Sequence, residues 1–171
     1  QLGSEAGTSL QGGNVTVRST STIGTAADFS TAAVIQSVGG GGGVTGNALG
    51  NVTLGASKVS GNLSSGSVST TIQGDLITEG QNSAALVVQS IAGGGGFGAE
   101  VTGLASLGMT STGQSTANAG SVILTGSGDL VSTKGLDAPA IVVQSIGGGG
   151  GWIGNVGGDA TLGADHIGAA N

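Results

Sequence analysis

Three glutamines recur at one phase along this chain. Gln36, Gln89 and Gln144 lie 53 and 55 positions apart, and a serine follows each of them: Ser37, Ser90 and Ser145. Such a row of amides and hydroxyls could contact a ligand. It could equally bond backbone groups at the end of a strand, where a buried amide must be satisfied, and we adopt that structural reading. Gly93-x-Gly95-x-x-Gly98 and Gly149-x-Gly151-x-x-Gly154 match the dinucleotide fingerprint in form. No helix is expected to follow, and a glycine run generates the pattern by itself. Neither Lys58 nor Lys134 follows the glycine that a phosphate-binding loop requires, and no Gly-x-Ser-x-Gly elbow occurs. His166 is the only imidazole; Asp165 beside it would face the opposite way on a strand, which argues against a Ser-His-Asp arrangement. With one His and no Cys, a metal site would rest on carboxylates. Asp159 and Asp165, in GGDATLGAD, lack the spacing of calcium-binding nonapeptides. Asp75 and Asp129, each before a leucine, read as turn residues and not as an acid–base pair. No residue is assigned to catalysis, to a cofactor or to a metal.

The elements that would carry these residues follow from the repeat. Residues 31–43 read TAAVIQSVGGGGG, 84–96 AALVVQSIAGGGG, and 139–151 PAIVVQSIGGGGG. Leu54, Leu107 and Leu162 each stand 18 positions after their glutamine. Val15, Val68 and Val122 stand 21 or 22 positions before it. Gly74-Asp75-Leu76 matches Gly128-Asp129-Leu130, with Ser21-Thr22-Ile23 in their place in the first copy. The chain thus reads as one array of three units, about 12–65, 66–118 and 119–171. Apolar residues alternate within each unit, as in Val15, Val17 and Ile23, which is the period of strands. The AVIQSV and IVVQSI runs are nearly continuous, as in strands enclosed on both faces; we expect Val143 or Ile146 in the stacked core. The fold class is all-β: a β-solenoid, in its simplest form a right-handed parallel β-helix with glycine-rich corners. Coils of roughly 21–33 residues would put two in each period and about six in the chain, a rod about 30 Å tall. One unit cannot bury its own apolar face, so the array reads as part of a longer protein.

The runs Gly39–Gly43, Gly93–Gly96 and Gly147–Gly151 bear on the corners. Ordering such residues costs about 1–2 kcal/mol each in backbone entropy. A mobile loop would avoid that cost. Their constant phase, with Val44, Phe97 and Trp152 directly after them, favours an ordered, closely packed corner.

Composition agrees with strands. The chain has 171 residues, 39 of them Gly, with 7% charged and 2% aromatic residues. Its mean hydropathy of +0.32 separates it from disordered Gly/Ser-rich linkers, which are polar and charged. The formal net charge is −6, with Arg18, Lys58 and Lys134 as the only fixed cations. Three scattered cations do not neutralise a row of phosphates, so neither nucleic acid nor an anionic membrane surface is an expected partner. No segment reads as spanning a bilayer, and the absence of Cys excludes a disulfide scaffold.

The phrase VVQSIGGGGG resembles a repeat of large autotransporter-type outer-membrane proteins of Gram-negative bacteria, in which units A-x-x-x-Q-S-I-G-G-G-G-G recur through glycine-rich passenger domains. The matching residues are Ala32–Gly43, Ala85–Gly96 and Ala140–Gly151, with Val38 and Ala92 as departures. The resemblance implies a passenger region exported through a C-terminal β-barrel that lies outside this sequence. It also implies a place at the cell surface and a role in adhesion or biofilm formation. The expected function is a non-catalytic structural or adhesive stalk. Its expected partners are adjacent repeats, host or neighbouring-cell surfaces, or like chains. Alternatives are a module binding polysaccharide or ice through Thr/Ser rows such as Thr16, Thr20 and Thr22, or a self-assembling extracellular fibre. A polysaccharide-cleaving β-helix would need carboxylates or cations clustered in one cleft, and the cations here share no phase.

Overall fold

The computed structural model describes residues 7–127, 130–163 and 165–170, and among them there are strands and no helix. After β1 (Gly7–Ser9), the chain makes three circuits of six strands each. The first holds β2 (Val15–Ser19), β3 (Ile23–Thr25), β4 (Ala33–Val38), β5 (Gly42–Ala48), β6 (Val52–Leu54) and β7 (Ser57–Asn62). The second holds β8 (Val68–Ile72), β9 (Leu76–Thr78), β10 (Leu86–Ala92), β11 (Gly95–Val101), β12 (Ala105–Leu107) and β13 (Thr110–Ala117). The third holds β14 (Val122–Gly126), β15 (Val131–Thr133), β16 (Ile141–Gly147), β17 (Gly150–Val156), β18 (Ala160–Leu162) and β19 (Asp165–Ala170).

Each strand pairs in parallel with its counterpart in the next circuit, giving sheets such as β16-β10-β4, β17-β11-β5 and β14-β8-β2. Gln89 lies opposite both Gln36 and Gln144. This is the stacking of a β-solenoid. Its coil is larger than expected: one circuit spans the whole 53-residue period, so there are three coils and not six. At ~4.8 Å per layer, the three-stranded sheets measure about 10 Å from first to last strand. The glycine run is the reason. Between β4 and β5 it leads the chain back over the face it has just made, so a circuit contains an extra layer.

Three apolar clusters result. The central sheet β4/β10/β16 turns one face, with Ile35, Leu86 and Val88, toward Val68, Ile72 and Leu76 of β8 and β9. Its other face, through Val87, meets Ala84, Phe97 and Ala99, and so packs against the β5/β11/β17 sheet. Ala56, Val59, Leu63, Ala92 and Met109 close the third cluster. Every residue of β10 is therefore buried, as the nearly continuous apolar run predicts. The same run in β16 lies at one face of the stack. There Val143 is 46% exposed and Ile146 partly buried, although their partners Val88 and Ile91 are fully buried, so of the two residues expected in the core only Ile146 is even partly enclosed.

One register differs from the sequence match. Val122 pairs with Val68, 54 positions back, but Val131, not Leu130, pairs with Leu76, 55 positions back. The added residue falls between β14 and β15. With side chains alternating along a strand, the shift gives Val131 the inward place and leaves Leu130 53% exposed. Gly128 and Asp129 of the matched motif lie outside the described residues.

Candidate functional site

The recurring Gln-Ser pair occupies both faces of the central sheet. Gln89 is fully buried between that sheet and the glycine-bearing sheet, and its Nε2 donates to Gln144 Oε1 at 2.6 Å. The expected bonds to backbone are not what the amides make. Parallel, in-register stacking puts identical amides one layer apart, where donor and acceptor face each other as in the glutamine ladders of stacked sheets. Buried Oε1 atoms of Gln36 and Gln89 have no hydrogen-bond partner in the chain.

The serines do meet the backbone. Ser37 Oγ donates to the Gly13 carbonyl (2.7 Å) and accepts from the Gly66 N–H (2.9 Å). Ser90 repeats this with the Gly66 carbonyl and the Gly120 N–H, both at 2.9 Å, and its hydroxyl also meets Ser65 Oγ. Ser145 donates to the Gly120 carbonyl at 2.9 Å. The Ser37 and Ser90 hydroxyls thus each tie one glycine of their own circuit to the equivalent glycine of the next. Small backbone units are needed there: a Cβ on Gly66 or Gly120 would overlap the chain one circuit below.

The glycines of the dinucleotide-like patterns lie in the turn and strand before and within β11 and β17, with no helix behind them. Their N–H groups are already engaged. Gly93 donates to the Leu63 carbonyl, Gly95 to that of Gly41 and Gly149 to that of Ala92. A phosphate would find no free donor row.

Carboxylates serve the connections. Asp28 Oδ1 accepts from the Gln81 N–H at 2.8 Å and Asp75 Oδ1 from the Leu130 N–H at 3.0 Å, each across to the next circuit. That is the turn role read from the sequence for Asp75. Asp159 is exposed, and Asp165 and His166 are consecutive in β19, but their side chains lie outside the described residues. Among the described residues no group of three His, Cys, Asp or Glu could hold a metal ion. Two of the three cations are engaged, and separately: Arg18 donates to Gln73, and Lys134 pairs with Glu79 at 2.6 Å on the surface. The hydrogen bond and charge of Lys134 hold the Glu79 carboxyl below its ordinary range.

Thr16 does not continue as a threonine row: its counterparts are Ser69 and then Ile123. The aromatics do converge. Phe29, Phe97 and Trp152 all belong to the cluster beside the central sheet. Their low number hides this in the sequence. The signal is phase, because Phe97 and Trp152 both directly follow a glycine run and pair in register.

No family model, curated protein or solved structure matches the chain. Among the described residues no helix is long and apolar enough to cross a membrane, which leaves β-barrels unaddressed.

Proposed function

We propose that the chain is a structural, adhesive stalk segment from the passenger region of a Gram-negative autotransporter adhesin. In this reading it is non-catalytic, stands at the cell surface and is anchored to the outer membrane through a region not present here. The observation that carries the proposal is the ladder. Gln36, Gln89 and Gln144 stack in one parallel register, and the serines beside them join circuit to circuit. Such a cross-section lengthens by adding units and contributes reach and repeated surface. The finer architecture we assign is a right-handed parallel β-helix with glycine corners. The hand follows the general preference of parallel crossover connections. Support for the corners comes from positive φ at Gly40, Gly41 and Gly42 and again at Gly93, Gly94 and Gly95.

An antibody raised against the 171-residue chain tests the setting. Stalk and export require staining of intact source cells, loss of that staining after protease shaving, and weaker surface attachment when the segment is deleted. Signal only after lysis, or attachment unaffected by the deletion, overturns the proposal.

A further inference from the structure

A shallow groove of about 550 Å³ runs where the second and third circuits meet, lined by Asn82, Asp137, Pro139, Trp152, Gly154 and Asn155. Its volume lies within the ~300–1,000 Å³ of small-ligand sites. Two elements build it. One wall is β17, where Trp152 follows the last glycine run, pairs in register with the buried Phe97 of β11 and packs against its cluster. Gly154 follows two positions later on the same strand. A Cβ there would press on the Ala99 carbonyl, so the wall stays bare beside the indole. The other wall is the pair of equivalent turns that precede β10 and β16. Asn82 and Asp137 hold the same position in these turns, both left-handed with φ of 51° and 52°. Short polar side chains tolerate that conformation best. The Asn82 N–H donates to the Leu136 carbonyl at 2.9 Å and fixes one turn on the other. In the first circuit the same left-handed position holds Phe29 instead, so the polar pair is specific to this junction.

We propose that this groove is a binding site for a neutral saccharide, specifically the pyranose rings of a β-linked glucan. The inference names what the adhesive surface of the stalk would hold, and it stands independently of how the chain is exported. Three features carry it. The indole offers a flat π-face, negative at its centre, against which the polarised C–H bonds of a pyranose face can stack. All-equatorial hydroxyls leave both faces of a β-glucosyl ring apolar, and turn the hydroxyls outward toward the groove's walls. There the Asp137 carboxylate and the Asn82 amide supply an acceptor and a mixed donor–acceptor, the pairing that reads adjacent hydroxyls. Neither side chain is engaged by another described residue, and Asp137 is exposed. Charge selects among saccharides: an unpaired carboxylate on a chain of net charge −6 repels uronic or sialic acids and admits neutral rings.

Trp152 is the chain's only tryptophan, so its fluorescence reports on this groove alone. The 171-residue chain would be titrated with cellohexaose and, separately, with hexagalacturonate. The proposal expects a saturable change in emission with cellohexaose and none with the acidic hexamer. Asp137→Ala should weaken cellohexaose binding about tenfold, the loss of one charge-assisted hydrogen bond. Trp152→Ala, followed by calorimetry, should abolish binding, with circular dichroism showing that each variant keeps its strands. Thr16→Ala, on an exposed position of β2, should bind as the parent does. An absence of saturable change with cellohexaose, full affinity in Asp137→Ala, or equal binding of hexagalacturonate overturns the assignment. None of these results depends on surface display, so they stand apart from the cell-staining test.

Discussion

Replacing Gly95 by alanine tests whether the glycine runs are packed structure or spacers. Gly95 begins β11 with φ of 134°, and a Cβ there would overlap the Gly150 carbonyl oxygen in the next circuit. Two costs combine. Holding a non-glycine residue in that region of backbone space costs about 1–3 kcal/mol. Forcing an extra carbon into closed packing costs about 1–3 kcal/mol more. The expected loss is thus roughly 2–6 kcal/mol, a large share of the ~5–15 kcal/mol stability of a domain. For a chain of this size each kcal/mol lowers the melting temperature by about 2–4 °C. The matched control is Gly46→Ala in β5: no atom lies near its added Cβ, so the change should stay within ~0.5 kcal/mol. Urea and thermal melts followed by circular dichroism would compare the two variants with the parent. If Gly95→Ala melts with Gly46→Ala, the runs are spacers and the close packing described for them is wrong.

Two further outcomes follow from the stacking. Ser90→Ala removes the hydroxyl that serves the Gly66 carbonyl and the Gly120 N–H, leaving the carbonyl unpaired and the N–H with only its longer bond to Ser65 Oγ at 3.3 Å. At about 1–3 kcal/mol for each unsatisfied group, its urea midpoint should fall clearly, whereas an unchanged midpoint would strip the serine row of its role. Val88→Asp places a carboxylate in a fully buried site, while Val143→Asp places one at a site 46% exposed. The first should cost several kcal/mol and the second much less; equal melting temperatures would contradict the layer order.

Much of the fold is legible in the chain. In-phase recurrence of Gln36, Gln89 and Gln144 announces stacking, since identical residues at a constant period match best when each unit lies on the last. Period-two alternation at Val15 and Val17 announces strands, because only a pleated chain sends alternate side chains to one side. The nearly continuous apolar run at Leu86–Ile91 announces a strand covered on both faces. The glycines' dinucleotide-like spacing is equally legible as empty of meaning, for want of a helix.

Other features needed the tertiary structure. The number of coils per period was read as two, because sequence period reports where the pattern repeats and not how far the chain travels in between. Only the fold-back at Gly39–Gly43 decides that a whole period makes one circuit. The partner of Gln89 was placed on the backbone, but an amide bonds whichever group stacking brings nearest, and in parallel register that is Gln144. Val131 takes the inward place of Leu130 because one added residue reverses the pleat. Asn82, Asp137 and Trp152 share no motif and are up to 70 positions apart, yet they line one groove. Local pattern determines which residues can form strands and which copies must coincide. Contacts between layers depend on the path of the turns, and that path is set by close approach of backbones that no single stretch of sequence contains.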